Sequence, residues 1–160
     1  MSELLNKEAV KRVGEFLKKF DPNLKIIVLD TTARTARDAA NSLKCELGAI
    51  VKSLVFKAED TFIICLVSGD KRCSLNKLKK ILNKKDVAMA NADQVKENTG
   101  FSIGGVAPTG HLKKLNIIVD KSLSRFKYVY GAAGHPDCVF RITYPELVKL
   151  TIGSEQEIIE

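Results

Sequence analysis

Two apolar segments in the middle of the chain predict a β-hairpin. Residues 49–56 and 61–67 are mostly hydrophobic and often β-branched, and the polar pair Glu59-Asp60 lies between them. Segments of this length and composition are typical of buried strands, and a short polar connection allows them to pair as neighbours. Because both segments are apolar on both faces, we expect the hairpin to lie near the centre of a sheet.

Apolar residues three and four positions apart predict helices on either side of this hairpin. Capping residues mark where these helices begin. We predict capping boxes from Thr35 with Asp38 and from Thr143 with Glu146, and further helix starts at Asn6, Ser74 and Asn91. The residues expected on buried faces are Val10, Val13, Leu17 and Phe20 in the first helix, Ala36, Ala39, Ala40 and Leu43 in the second, and Leu75, Leu78 and Ile81 in the third.

Shorter apolar segments predict further strands, and the order of all the elements indicates the fold class. The strands cover residues 24–29, 86–90, 115–119, 127–130 and 139–142, with a glycine-rich loop over 101–110 and a helical turn over 122–126. Helices and strands alternate irregularly around at least one hairpin, which favours a mixed sheet over a doubly wound parallel one. We therefore predict a mixed α/β fold in which residues 1–160 form one domain.

The composition argues against several classes of protein. The longest apolar run is Phe62 to Val67, and the first twelve residues mix acids and bases, so we expect a cytoplasmic protein without a membrane span or signal peptide. The four cysteines form no CxxC pair and only two histidines accompany them, which favours reduced thiols over a zinc site. The chain also lacks the glycine motifs of common nucleotide-binding loops, and we expect no cofactor or metal.

Basic residues exceed acidic ones, and the excess is concentrated in two segments. Lysine and arginine number 26 against 19 aspartates and glutamates, giving a net charge of +7. Residues 71–85 contain seven bases and no acid, and a second group comprises Lys113, Lys114, Lys121, Arg125 and Lys127. Such surfaces suit phosphate backbones, but solvated helix faces show the same pattern. Charge alone therefore leaves both interpretations open.

A lysine within the first strand of the hairpin is the most informative single residue. By alternation, Lys52 shares a strand face with Leu54 and Phe56. An ammonium among apolar side chains is costly unless it is paired or opens onto a cleft. A lysine that protects a sheet edge from aggregation also fits this position. The expected central place of the hairpin favours a functional lysine.

Two glycine-rich segments contain further candidates for a site. Residues 99–111 hold four of the ten glycines, and residues 131–136 end in His135-Pro136. Backbone amides of such a loop can cradle a phosphate or stabilise an oxyanion, although a plain connecting loop has the same composition. His135 fits a general base, a hydrogen-bond donor or an exposed loop residue. Asp120 ends a strand and fits either an active-site group or the cap of the next turn.

Taken in order, these segments resemble the YbaK family of aminoacyl-tRNA deacylases, also called YbaK/ProX, which is related to the editing domain of bacterial prolyl-tRNA synthetases. The resemblance extends over about the whole chain after the first helix. It is carried by residues 35–40, 49–56, 67–70, 99–108, 119–120, 133–136 and 145–147. It implies a single domain with a curved mixed β-sheet flanked by helices.

The resemblance also implies an activity and a set of site residues. The activity is hydrolysis, in trans, of the ester in mischarged aminoacyl-tRNA. The implied catalytic residues are Lys52, Asp120 and His135, and the implied substrate-binding residues are Ser53, Gly104, Gly105, Pro108 and Gly134. Family members that edit Ala-tRNA often carry asparagine after the lysine, where this chain has Ser53.

The expected partner is aminoacyl-tRNA, with a transient complex with an aminoacyl-tRNA synthetase as a further expectation. The acceptor stem would be held by phosphate contacts. The residues expected to make them are Lys71, Arg72, Lys77, Lys79 and Lys80. The alternative is a non-catalytic module that binds tRNA or docks on a synthetase.

Overall fold

The strands of the protein form two separate sheets. A computed structural model describes residues 3–30 and 35–160. Its strands are β1 (Ile26–Val28), β2 (Val51–Ala58), β3 (Thr61–Ser68), β4 (Val87–Met89), β5 (Asn116–Asp120), β6 (Tyr128–His135), β7 (Cys138–Thr143) and β8 (Ser154–Gln156). Its α-helices are α1 (Glu8–Phe20), α2 (Ala36–Leu43), α3 (Leu75–Leu82), α4 (Ala92–Thr99) and α5 (Tyr144–Thr151). The predicted mixed α/β class is confirmed.

The larger sheet is built around the predicted hairpin. Its order is β4-β2-β3-β5-β8, and the β2–β3 pair is antiparallel from Val51 opposite Ser68 to Ala58 opposite Thr61. Strands β5 and β8 continue the sheet in parallel orientation, so the sheet is mixed. The smaller sheet has the order β1-β7-β6 and meets the larger one through a bridge between Ile50 and Tyr130.

The hairpin is buried on both faces, which explains why it is apolar throughout. On one face, Val51, Val55 and Leu66 join a core shared with α1 and the smaller sheet. On the other face, Phe56 and Val67 pack in a second core. Since successive side chains of a strand point to opposite faces, a strand between two cores has few positions for polar residues.

The predicted helix starts are mostly confirmed, because the capping signals are local. Thr35 and Asp38 form a capping box, Ser74 caps α3, and Asn91 caps α4. Thr143 caps α5, but the Glu146 side chain bonds the Thr143 hydroxyl instead of closing a box. The predicted cap at Asn6 is wrong, since α1 begins two residues later with Lys7 as its cap.

Some predicted buried faces are also wrong. Phe20 is 37% exposed because it lies at the last residue of α1, and Leu75 and Ile81 are similarly exposed. The apolar stripe of α3 runs instead through Leu78 and Leu82, which are four residues apart. The strand predicted over residues 127–130 is longer in the structure, where β6 continues to His135. The sequence pattern did not predict β8.

Candidate functional site

A cavity of about 650 Å³ opens at the outer edge of β2. β4 pairs only with residues Phe56 to Ala58, so the first half of β2 lacks a strand on that side. Residues Ile50 to Val55 form one wall of the cavity, and α2, α4, the loop after α4 and the smaller sheet form the others. Incomplete pairing of a buried strand therefore creates a concave site at the edge of the larger sheet.

Main-chain groups of Ser53 face this cavity. The Ala90 amide donates to the Val55 carbonyl at 2.9 Å, so the polar groups of Val55 point to the outer edge. Since this direction alternates along an antiparallel strand, the N–H and C=O of Ser53 also point outward. The Ser53 hydroxyl is buried and has no hydrogen-bond partner among the described residues. The residue after the lysine thus offers three polar groups at the cavity wall.

Lys52 lines the cavity and directs its ammonium to the turn after β3. Its Nζ donates to the Lys71 carbonyl, and its alkyl chain lies on the face of the second core. Partial burial lowers the pKa of Lys52, the Asp70 carboxylate opposes this effect, and Arg72 adds to it. The Lys52 ammonium thus has one main-chain acceptor, and the residue lies beside the cavity.

The glycine-rich loop reaches the cavity through Gly104. Gly104 has φ +92°, a conformation that favours glycine, and its amide makes no hydrogen bond to any other described residue. The Gly105 amide instead closes a turn onto Ser102 at 3.0 Å. A Cβ on Gly105 would lie 3.0 Å from the His135 backbone. The absence of a side chain at Gly105 thus allows the glycine-rich loop to pack closely on the backbone of His135. The Gly104 amide is a hydrogen-bond donor that remains available to a ligand.

His135 also lines the cavity, and its hydrogen bonding defines its tautomer. The Asp137 amide donates to His135 Nδ1 at 3.1 Å. A neutral imidazole that accepts through Nδ1 carries its proton on Nε2. This tautomer allows His135 to donate a hydrogen bond through Nε2.

Four of the eight expected catalytic and substrate-binding residues lie outside the cavity lining: Asp120, Gly105, Pro108 and Gly134. Asp120 is 1% exposed, and its carboxylate accepts the amides of Ser122 at 2.9 Å and Ile158 at 2.8 Å. It caps the turn after β5, the alternative role that the sequence allowed. Pro108 is buried against Gly131, and Gly134 packs against the Ala9 backbone of α1. These residues shape the surroundings of the site without reaching it.

Most cavity residues that the sequence did not single out are apolar. They include Val55, Ala90, Val95, Val106 and Val139, which resemble ordinary core residues in the sequence. Met89 and Ile103 are different, because they are 57% and 60% exposed and still line the cavity. The site is thus an apolar cavity with a few polar groups, which is typical of small-molecule sites.

The basic segment begins beside the site and continues along α3. Lys71 and Arg72 follow the turn that receives the Lys52 ammonium. Lys77 donates to the Ile159 carbonyl at 2.7 Å and so helps attach the last residues to α3. Lys80 is exposed and Lys79 is partly so, and neither makes an ion pair among the described residues.

The cysteines do not form a metal centre. All four have free thiols; Cys65 and Cys138 are buried, and Cys45 and Cys73 are partly buried. No cluster of three or more potential ligands is found within residues 3–30 and 35–160. In the same ranges, no helix has the length and apolarity that crossing a membrane requires.

Comparison with known proteins assigns the family. The model of the aminoacyl-tRNA editing domain matches residues 30–150. The chain belongs to this family. A crystal structure of a candidate trans-editing enzyme for prolyl tRNA synthetase matches 96% of this chain and 98% of its own, with a TM-score of 0.91 and 36% identity. The resemblance read from the sequence is therefore confirmed.

Curated relatives of two lengths match the chain. The uncharacterized protein YwhH of Bacillus subtilis (strain 168) is 29% identical over 146 residues, which is 91% of this chain and 92% of YwhH. The proline–tRNA ligase of Thermosipho africanus is 36% identical over 105 residues, 65% of this chain. The match spans only about a fifth of that ligase, 18% of its length. This editing domain therefore resembles both a small protein and one segment of a large synthetase.

Proposed function

We propose that this protein hydrolyses the ester between a mischarged amino acid and the terminal adenosine of tRNA. The observation that carries the proposal is that Lys52 and Gly104 line the same mostly apolar cavity, the first with an ammonium and the second with a backbone amide that bonds no other described residue. Both groups supply positive potential, and an oxyanion is stabilised most by donors that are fixed before the reaction. A cavity of about 650 Å³ is in the range of sites for small ligands.

The proposed reaction needs water and no covalent enzyme intermediate. Water attacks the carbonyl carbon of the ester, and the carbonyl oxygen becomes the negatively charged oxygen of a tetrahedral intermediate. Lys52 and the Gly104 amide stabilise this charge. The intermediate then expels the ribose oxygen, which takes up the proton released by the attacking water. The products are the free amino acid and tRNA with its terminal hydroxyl restored.

His135 and Ser53 complete the proposed site as positioning groups. The Nε2–H of His135 is suited to donate to the ribose or to the aminoacyl end, because Nδ1 is already occupied by the Asp137 amide. The hydroxyl and edge groups of Ser53 are suited to bind the amino acid portion. Asp120 is absent from the proposed catalytic set, since backbone amides occupy both of its carboxylate oxygens.

The tRNA would be held by the basic segment next to the cavity. Lys71 and Arg72 adjoin the turn at Lys52, and Lys77, Lys79 and Lys80 continue from it on α3. Phosphate contacts from these residues would orient the acceptor stem without reading its sequence. A protein with this substrate would act in the cytoplasm and would encounter synthetases there.

A deacylation panel tests this proposal directly. The substrates are tRNAs charged with labelled Ala, Cys, Ser, Thr or Pro. The measured quantity is the rate at which the amino acid is released, corrected for spontaneous hydrolysis without protein. We expect at least one ester to be hydrolysed far faster than its spontaneous rate. Equal time courses with and without protein for every substrate, together with retained tRNA binding, would instead support a non-catalytic binding module.

A further inference from the structure

The turn after β3 holds the acceptor of the Lys52 ammonium. The Lys71 amide donates to the Ser68 carbonyl at 3.0 Å, which closes the turn, and the Lys71 carbonyl accepts Lys52. A Cβ on Gly69 would overlap the Leu47 carbonyl oxygen, so the turn is packed against the chain that leads into β2. Any displacement of this turn therefore displaces the group that orients Lys52.

Arg125 fastens this turn from the opposite side. Its Nη2 and Nη1 donate to the two carboxylate oxygens of Asp70 at 2.7 and 3.1 Å, and Nη2 also donates to the Ser68 hydroxyl at 2.8 Å. Its Nε donates to the Ser122 carbonyl at 2.7 Å, which fixes the guanidinium itself. A planar guanidinium that binds both oxygens of a carboxylate fixes orientation as well as distance.

The connection continues to the start of the hairpin. The Ser68 hydroxyl, which Arg125 contacts, donates to the Gly48 carbonyl. A Cβ on Gly48 would lie 2.7 Å from the ring of Phe126, the residue that stacks under the Arg125 guanidinium at 4.8 Å. Arg125 thus fixes the turn after β3 relative to the segment before β2, and Lys52, opposite Val67, lies at this same end of the hairpin.

Asp70 also acts on Lys52 through charge. Burial lowers the pKa of Lys52, and the Asp70 carboxylate is the main group that opposes this effect; Arg72 adds to the lowering, and an ionised Cys73 thiol opposes it. The Arg125 hydrogen bonds lower the pKa of Asp70, so this carboxylate remains ionised at neutral pH. Asp70 is therefore a permanent counter-charge near the lysine ammonium.

We propose that Arg125 and Asp70 form a positioning pair that holds the Lys52 ammonium in the orientation needed for ester hydrolysis. This inference rests on the proposed function, and neither residue touches the cavity itself. It gives a role to the Val67–Asp70 segment and to one base of the second basic group, which tRNA contacts alone do not explain.

The first test separates turnover from binding. Arg125→Ala and Asp70→Asn should each lower kcat about tenfold or more, because a small misplacement of a reacting group is costly in rate. The KM for aminoacyl-tRNA should change less. Arg125→Lys keeps the charge but loses the guanidinium that binds both oxygens of Asp70. Its kcat should therefore lie between those of Arg125→Ala and the wild type. Arg141→Ala, which removes an exposed arginine stacked on Tyr128, is the matched control and should retain the wild-type kcat.

The second test reads Lys52 directly. Lysine labelled with ¹³C at the ε-carbon gives one NMR signal per residue, and Lys52 is identified as the signal missing from Lys52→Met. Asp70→Asn removes a group that raises the pKa of Lys52, so the titration of this signal and the alkaline limb of kcat should both move to lower pH. Asp60→Asn, at the far end of the hairpin, should move neither.

The outcomes distinguish this inference from the proposed function. An inactive Lys52→Met combined with wild-type kcat and an unmoved Lys52 signal in Asp70→Asn overturns the positioning pair and leaves the proposed function intact. A fully active Lys52→Met overturns the proposed role of the lysine and the pair that would serve it. Thermal melts of every variant identify losses of kcat that come from unfolding. If a variant is unfolded, Arg125→Lys is measured in its place. Partial activity of Arg125→Lys supports the positioning pair, and full activity overturns it.

Discussion

Replacement of Lys52 by methionine removes the charge at the cavity while keeping most of the side chain. The stem of Lys52 lies on the face of the second core, where its opposite neighbour on β3 is Val67. Methionine has an unbranched side chain of similar length and fits irregular apolar space. Lys52→Met therefore tests the ammonium itself, whereas alanine would also remove packing.

The expected loss of activity follows from electrostatics. Two unit charges 4 Å apart interact by about 4 kcal/mol at the effective dielectric constant of about 20 that describes protein sites. The Gly104 amide would still contact the oxyanion, so we expect the loss to be on the order of 3 kcal/mol, or about a hundredfold in rate. Lys52→Arg should also be poor, because a broad planar guanidinium does not replace a compact ammonium.

Stability should change little in comparison. The variant loses one hydrogen bond from a charged donor to the Lys71 carbonyl, which contributes about 1.5 to 3 kcal/mol. The substitution also removes the unfavourable free energy of desolvating a partly buried cation, which opposes the loss of the hydrogen bond. We expect the midpoint of thermal unfolding to stay within about 4 °C of the wild type.

The assay is single-turnover deacylation of the best substrate of the panel, with circular dichroism melts on the same samples. A folded Lys52→Met protein that hydrolyses the ester at the wild-type rate would falsify the electrostatic role. The lysine would then be one that prevents aggregation at the unpaired edge of β2. A slow variant with a greatly lowered melting temperature would point instead to structural damage, and Lys52→Ala would then be measured beside it.

Three further measurements test other parts of the structure. Gly69→Ala should lower the melting temperature by roughly 6 °C, since its Cβ would overlap backbone, whereas Gly14→Ala, with 3.4 Å of clearance in a helix, should not lower it. His135→Ala should reduce the rate by about three- to tenfold, as for one positioning hydrogen bond, and a complete loss with intact binding would indicate general-base catalysis. The affinity for tRNA should fall steeply with salt, with each phosphate contact contributing about 0.7 to 0.9 to the slope of log K against log salt. Charge reversal at Lys79 and Lys80 should flatten this slope, and an affinity independent of salt would contradict the electrostatic contact.

The parts of the fold that could be predicted are those encoded locally. The hairpin turn at Glu59-Asp60 and the caps at Thr35, Ser74 and Asn91 depend on residues within a few positions of each other. Residues on opposite strands or distant loops leave no such signal. The short strand β8, for example, is held by pairing with β5, more than thirty residues earlier in the chain.

The same distinction applies to the site. Lys52 could be recognised because a charge interrupts an apolar strand, and Gly104 because its glycine-rich loop resembles that of the family. Asp120 could not be assigned, since its second partner is the Ile158 amide, 38 residues away. Met89 and Ile103 look like core residues in the sequence, and only the tertiary structure shows that they border a cavity. In the sequence Arg125 is only one member of a basic group, and the tertiary structure shows that it binds Asp70.

The arrangement of β2 explains how one strand supports both the core and the site. Its second half is paired on both sides, with β3 and β4, and carries Val55 and Phe56 into the two cores. Its first half is paired as a strand only with β3, and there Lys52 and Ser53 meet the cavity. Polar groups are tolerable in that half because the open edge leaves room for a ligand to satisfy them. Substitutions should therefore affect mainly stability at Val55 and Phe56, and mainly function at Lys52 and Ser53.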